Sequence, residues 1–579
     1  PQGTRFGANA IAGMMNITTN APTEDFEGNI KLGVGNYNSY DLGVALSGPA
    51  SDLVNYRFAV NQLTSDGFIE NTYLDRKDTN NRDELTIRGK LAIEASDNLT
   101  IDLAGYYFDF DNGYDAFSLD NNGKTLSDSP GFDTQETTAL STKFTYTGLE
   151  TATLLAIFSA STSDLGYGFD VDWAYTGISD PARNPDIDPD FADWEFNWTD
   201  HFYRDKSVYT SEFRALSNQG QEIFAGTSSW VAGVYFKQDD ESLLRQADEL
   251  ENIDFTSENQ TQTIAAYAQL HTQLNDRLSL ISGMRIENYS TNYINSTNLD
   301  DDTSDTMFGG KLVLSFQQTD DTLWFGSINR GYKAGGHNTD GNLPKELRSF
   351  KPEYLLNYEL GYKVSLLKNS AYLRTSVFYM DRKDMQVKTY LVDKNTNSNG
   401  DTFDPYLVNA ASGSNYGIEL ESSWSINDIV NIYGSIGLLE TEFNEFVDAK
   451  GNSLSGEEQA HAPNYQFNVG INIQPTDEWL FNLSIDGKDE FIFSDTRYYY
   501  GEAILESDLT SKSIVLLNAS ISYLQDNWQV KLWGRNLTDE EYANRGFYFG
   551  NDSRDGYTPK QYTQLSEPLV FGATFNYQF

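Results

Sequence analysis

The feature that most constrains this chain is a period-two alternation of apolar and polar residues, repeated from end to end in segments of about ten residues. The last segment shows it plainly. Phe571, Ala573, Phe575, Tyr577 and Phe579 alternate with Gly572, Thr574, Asn576 and Gln578. Successive side chains of a strand point to opposite faces, so such a segment has one greasy face and one wet face. The same pattern runs through Ile30–Val34, Tyr56–Asn61, Leu85–Ile93, Asn357–Val364, Gln466–Ile473 and Leu517–Tyr523. About 22 segments are countable. They start near residues 28, 40, 54, 84, 99, 138, 150, 206, 228, 262, 277, 307, 321, 355, 371, 416, 429, 464, 479, 514, 527 and 568.

The links between segments carry as much information. Tight turns rich in Asn, Asp and Gly, such as Gly148-Leu149 and Gln525-Asp526, alternate with long stretches. The long stretches are 64–83, 111–137, 162–205, 238–261, 289–306, 332–354, 382–415, 441–463, 489–513 and 537–567. A compact soluble domain seldom carries so many structureless loops. A β-solenoid would show a fixed repeat length, and a sandwich would not pair every short turn with a long loop. A transmembrane barrel has this asymmetry, with short periplasmic turns and long extracellular loops. About ten residues is also the length a tilted strand needs to cross a bilayer. The expected fold class is all-β, a transmembrane antiparallel barrel of about 22 strands. Its last strand closes on the first near Asn29 to Gly35. Odd positions of that last strand face lipid, and Phe579 supplies an aromatic end of the kind outer-membrane barrels share.

Composition agrees. Mean hydropathy is −0.52 and no apolar run is long enough for a membrane helix, yet alternating strands keep average hydropathy low in a barrel too. There is no Cys, so neither disulfides nor thiolate metal sites are available. The formal charge is −45, from 40 Lys and Arg against 85 Asp and Glu. That disfavours nucleic acid, which is bound through clustered basic residues.

Residues Pro1 to Thr19 depart from the alternation. The stretch is rich in Gly and small residues, as a tightly packed turn requires. Pro1, Gln2, Gly3, Thr4, Phe6, Gly7, Asn9, Ala10, Ile11, Gly13, Asn16, Ile17 and Thr19 match the pattern that ends the plug domain of TonB-dependent outer-membrane receptors, which this stretch resembles. Arg5 and Ala12 depart from it mildly. Asn329 to Asn338, Pro352 to Lys363 and Trp533 to Tyr542 resemble further stretches of the same family. The resemblance implies a 22-stranded barrel, residues 26–579, filled by an N-terminal plug of which residues 1–25 are the end. The rest of the plug, the segment that touches TonB and a signal peptide would precede Pro1. It also implies an integral protein of a Gram-negative outer membrane, bedded in lipid and lipopolysaccharide. The implied activity is TonB-driven import, of a ferric siderophore by preference or of an oligosaccharide. The barrel would be monomeric, with an accessory outer-membrane partner kept open. A passive porin or structural protein is the alternative from another class, and the plug-like stretch speaks against it.

No catalytic set is visible, so an enzyme is not expected, and no cofactor or resident metal is assigned. His201, His271, His337 and His461 are far apart and form no ligand pair; this also argues against haem as cargo. The acidic run Asp186-Ile187-Asp188-Pro189-Asp190 reads as solvated loop more readily than as a Ca²⁺ site. Candidate ligand-binding residues are loop aromatics suited to stacking on planar groups: Trp173, Tyr175, Trp194, Trp198, Tyr498, Tyr499, Phe547 and Tyr548. The competing reading is an interfacial belt or packing among loops. Lys333 and His337 join the candidates because they lie in a family-like loop where local positive charge suits an anionic chelate. The inward residues Arg57, Arg88, Arg285, Arg374 and Arg535 are expected to pair with lumen carboxylates or the plug.

Overall fold

A computed structural model describes residues 4, 7–11, 13–185, 187, 195–247, 254–338, 343–393, 402–448, 451–499 and 502–579. Twenty-two antiparallel strands join into one sheet, and the first pairs with the last. Asn29 lies opposite Gln578 and Gly35 opposite Gly572, the seam the alternation predicts. Closure leaves no edge in the hydrocarbon layer, where an unpaired N–H or C=O would find no water.

The apolar positions face out. Leu32, Val34, Phe58, Leu140, Phe213, Met284, Leu360 and Leu532 are all exposed, as lipid-facing residues of a barrel must be. At the short-turn end, Trp479 meets Tyr523 edge to face at 4.9 Å, Trp528 lies tilted against Tyr523 at 5.6 Å, and Trp324 packs on Tyr362 at 4.4 Å. This is an aromatic girdle at the periplasmic interface.

At the seam, Phe579 N–H donates to the Gly28 carbonyl at 3.0 Å and Gly28 N–H donates to the Phe579 carbonyl at 2.7 Å. The Phe579 ring lies across Gly28 so closely that a Cβ there would sit 2.3 Å from its Cζ. Only glycine fits. Gly28→Leu is expected to expel the ring and forfeit its packing, about 2–3 kcal/mol. Deleting Phe579 should act the same way. Both variants should yield less of the folded, heat-modifiable band in outer-membrane fractions, and wild-type amounts would count against the contact.

The strand starts read from the alternation agree with the structure, with one consistent exception. Segments expected near 138, 206, 262, 307 and 416 begin at Gly131, Thr199, Phe255, Asp300 and Thr402. Each descends from the long-loop side. Above the bilayer both faces of a strand meet water, so the alternation fades while backbone pairing continues. The supposed loop 289–306 is in fact two strands joined through Ser296–Leu299. Likewise 238–261 and 382–415 are mostly strand. One part of the wall therefore stands tall above the membrane.

Candidate functional site

Two assemblies stand out, one inside the barrel and one above it. The inner one is built on strand 11 (Leu278–Asn295), which alternates inward Arg285 and Glu287 with outward Met284 and Ile286. Arg285 Nε donates to Glu287 Oε2 at 2.7 Å, and both side chains are almost fully buried. The guanidinium lies 5.4 and 5.8 Å from the ring centres of Tyr235 and Tyr267. The N-terminal segment docks on this pair. Ala8 N–H donates to Glu287 Oε1 at 3.1 Å. Asn9 N–H donates to the Tyr332 carbonyl at 3.0 Å, and Asn9 Oδ1 accepts from Ala334 N–H. Gly7 has φ +80°, and a Cβ there would lie 2.5 Å from Glu287 Oε2. Glycine is needed both for the backbone conformation and for the close approach. Further along, Lys90 Nζ donates to the carbonyls of Thr19 and Asn20 at 2.9 and 3.1 Å, holding the segment before it joins the first strand.

Elsewhere the inner wall mixes charge with aromatic surface. A cavity of about 1150 Å³ is lined by Glu359, Lys363, Arg374 and Glu421 together with Phe325, Tyr433 and Phe467, among others. Four of the five expected inward arginines have carboxylate partners: Arg57 with Glu27, Arg285 with Glu287, Arg374 with Glu421 and Arg535 with Glu567.

The upper assembly is a core made by loops. Phe117, Leu119, Ala174, Ile178 and Tyr562 are buried together. Trp173 stacks on Phe117 at 4.9 Å and meets Tyr562 edge-on at 5.2 Å; Phe547 lies 5.5 Å from Phe117. Hydrogen bonds tie the same loops. Asn71 Nδ2 donates to Asp115 at 3.0 Å and to the Ser127 carbonyl at 2.8 Å. Asn121 Nδ2 donates to the Gln561 carbonyl at 2.7 Å, and Ser179 Oγ donates to Ser553 Oγ at 2.6 Å. Burial raises the Asp115 carboxyl against the hydrogen bonds from Thr125 and Asn71. Burial also acts on Asp552, but Arg554 and Lys560, each bonded to it at 2.8 Å, hold it below the ordinary range.

The structure sorts the candidate residues. Trp173 and Phe547 belong to the loop core, half-buried. Tyr175 packs against the same core, half-buried, and stacks face to face on the exposed Tyr73 at 4.3 Å. Trp198 is half-buried, edge-on to the exposed Phe196 at 5.9 Å. Tyr499 and Tyr548 meet edge-on at 5.9 Å, whereas Tyr498 packs toward the separate cluster of Met385, Phe443 and Phe446. Lys333 ends strand 13 (Thr322–Lys333) rather than lying in a loop. His337 is nearly buried, stacked on Tyr293 at 5.8 Å, with Nε2 3.4 Å from Asp301 Oδ2. Burial lowers its pKa in spite of Asp301 and Asp302. Trp194 and most of the run Asp186–Asp190 lie outside the described residues. Among the described residues no group of three His, Cys, Asp or Glu is placed to hold a metal. Sequence reasoning missed Tyr73, Phe117 and Asp172, which lie in stretches without periodicity. It listed Arg285 but not Glu287, although an Arg and a Glu two apart on one strand face were there to be seen.

The β-barrel model of the TonB dependent receptor-like family matches residues 18–537. The pesticin receptor of Yersinia enterocolitica is 25% identical over 441 residues, covering 73% of this chain and 59% of the relative. The chain thus spans less than two thirds of the length of that curated relative. The ferric yersiniabactin uptake receptor of Yersinia pestis superposes with a TM-score of 0.80 at 20% identity, over 100% of this chain and 84% of that one. The ferric-catecholate import receptor of Escherichia coli K12 gives 0.73 at 16%, over 100% and 85%. The closed 22-stranded barrel and the match over most of its length make the chain a member of the TonB dependent receptor-like β-barrel family, located in the outer membrane.

Proposed function

We propose that this protein is a TonB-dependent importer of a ferric siderophore. The observation that carries the reading is the N-terminal segment inside the barrel, bonded to Glu287, Tyr332 and Lys90. A passive pore has no use for an internal segment with a dedicated buried ion pair as its seat. In this reading residues 1–25 are the end of a plug whose rearrangement, driven from TonB, releases bound ligand into the periplasm. The siderophore assignment draws on relatives described as receptors for ferric yersiniabactin and ferric catecholates. Planar iron-binding groups would stack on the accessible aromatics Tyr73, Tyr175, Phe196, Tyr499 and Tyr548, with Trp173 and Phe547 shaping the loops that present them. Lys333 would add positive charge toward an anionic chelate.

The runner-up is an oligosaccharide, whose sugar faces stack on the same rings. Deleting the gene and growing cells on single iron sources separates the two. Loss of growth on one ferric chelate, restored by the gene in trans, is the expected result. Unchanged uptake of every ferric chelate, with growth lost on a glycan, would overturn the siderophore reading and leave the runner-up.

A further inference from the structure

The barrel wall is not evenly paired at its outer rim. Strand 12 (Asp300–Thr319) pairs with strand 11 as far as Asp300, opposite Ile294. Its ladder to strand 13 stops at Gly310, opposite Arg330. Beyond that point strand 13 pairs only with strand 14 (Glu353–Leu366) and turns into the lumen. Tyr332 is fully buried against Met307, and its carbonyl is taken by Asn9. Asp300 to Gly309 thus has a strand on one side and, among the described residues, none on the other.

In an antiparallel ladder the N–H and C=O of one residue point to the same side, and the side alternates along the strand. Two hydrogen bonds fix the parity here. The Asp305 carbonyl faces strand 11 and accepts from Asn288 Nδ2 at 3.4 Å. The Phe308 carbonyl faces the other way and accepts from Arg330 Nη1 at 2.8 Å. Asp302, Ser304 and Thr306 therefore direct their backbone groups to the open side. No backbone hydrogen bond joins them there to another described residue, and all three are exposed.

An open edge of this kind is a template for another strand, and natural proteins usually blunt it. Here the rim carries Asp300, Asp301, Asp302 and Asp305. A second copy of the chain would bring like charges face to face, which destabilises a strand pair. A strand rich in Lys or Arg would gain both the ladder and the charge pairing. We propose that Asp302 to Thr306 is a docking edge for an extended, basic segment of a protein partner, added as a further strand at the extracellular rim.

The test uses the full chain in detergent micelles and a fluorescent nine-residue peptide alternating lysine and valine. Saturable, salt-sensitive binding is expected. Ser304→Pro and Thr306→Pro each remove an N–H that makes no ladder bond, so the barrel keeps its folded, heat-modifiable band. Each should weaken binding at least tenfold. A peptide N-methylated at alternate residues should weaken it equally on the unaltered protein, so the test survives a variant that fails to fold. Asp301→Asn with Asp302→Asn should flatten the salt dependence. Binding unchanged by the proline variants and by N-methylation would reduce the effect to charge alone and overturn the proposal, as would the absence of saturable binding. Sedimentation showing a wild-type dimer that Ser304→Pro abolishes would overturn it in favour of a second copy.

Discussion

Replacing Glu287 by Ala is expected to release the N-terminal segment from the barrel wall while leaving the barrel itself closed. The variant strands the Arg285 guanidinium, close to two tyrosine rings and deeply buried, without the one carboxylate that meets it among the described residues. Removing one partner of a buried pair costs about 3–5 kcal/mol, because the remaining charge stays unsolvated. Twenty-two paired strands absorb that cost, but the segment bonded to Glu287 through Ala8 is otherwise held, among the described residues, by the hydrogen bonds of Asn9 and Lys90. The cheapest relief is for Gly7 to Ala10 to lift away and admit water to Arg285. The absence of cysteine makes this measurable, since a single Ala8→Cys thiol can be labelled with a maleimide without background. Glu287→Ala should speed labelling on the order of a hundredfold, about 3 kcal/mol of opening. Converting both residues to Met removes the pair together and should restore slow labelling in part, since an apolar replacement of similar volume is often neutral. Equal rates in all three backgrounds would show that the ion pair is not the seat.

Asp172→Asn is expected to abolish a pH sensitivity of the outer loops. Asp170 and Asp172 are both buried, and Asp172 N–H donates to Asp170 Oδ1 at 3.3 Å. Asp170 Oδ2 and Asp172 Oδ1 have no hydrogen-bond partner among the described residues. Burial, then the adjacent Asp170, push the Asp172 carboxyl up to about 9. The groups facing it from neighbouring loops are Asp128 and Tyr557, the latter itself raised to about 12 by burial and by Asp172. The folded loops hold a proton that the unfolded chain releases near pH 4, so the stabilisation is complete below pH 4 and is lost as pH rises toward 9. Between pH 6 and 8 the loss is about 2–3 kcal/mol, since each pH unit between the two values is worth about 1.4 kcal/mol. Asn needs no proton, and its Nδ2 can donate to the unpartnered Asp170 oxygen. Trypsin cleavage after the exposed Arg183, normalised to a free peptide, should accelerate roughly fiftyfold over that range in the wild type and stay flat in Asp172→Asn. Matching profiles would rule out Asp172 as the titrating group.

Both predictions concern residues that periodicity could not rank. The barrel was legible because lipid imposes a rule on every second residue, from Ile30 through Phe579, and turn chemistry marks the short links. Where that rule lapses, above the bilayer, the strand tops at Gly131, Thr199, Phe255, Asp300 and Thr402 were read as loop. The loop aromatics were recognisable as a group, but whether Trp173 faces outward or fills a core depends on Phe117 and Tyr562, residues far away in sequence. No local pattern encodes that meeting. The seat for the N-terminal segment was half visible, in an inward Arg285 without its assigned partner.

The seam at Gly28 and Phe579 also sets an order of events. The two strands it joins are separated by almost the entire chain, with Asn29 bonded to the Tyr577 carbonyl 548 residues away. Every other strand can pair with a neighbour already made, whereas this junction waits for the twenty-second strand. The ring of Phe579 over Gly28 and the ladder behind it must offset the cost of bringing the two free edges of the sheet together. Closure is therefore the latest and least local event in assembly. A chain stalled just before it would present two unpaired edges to any factor that escorts barrels into the membrane.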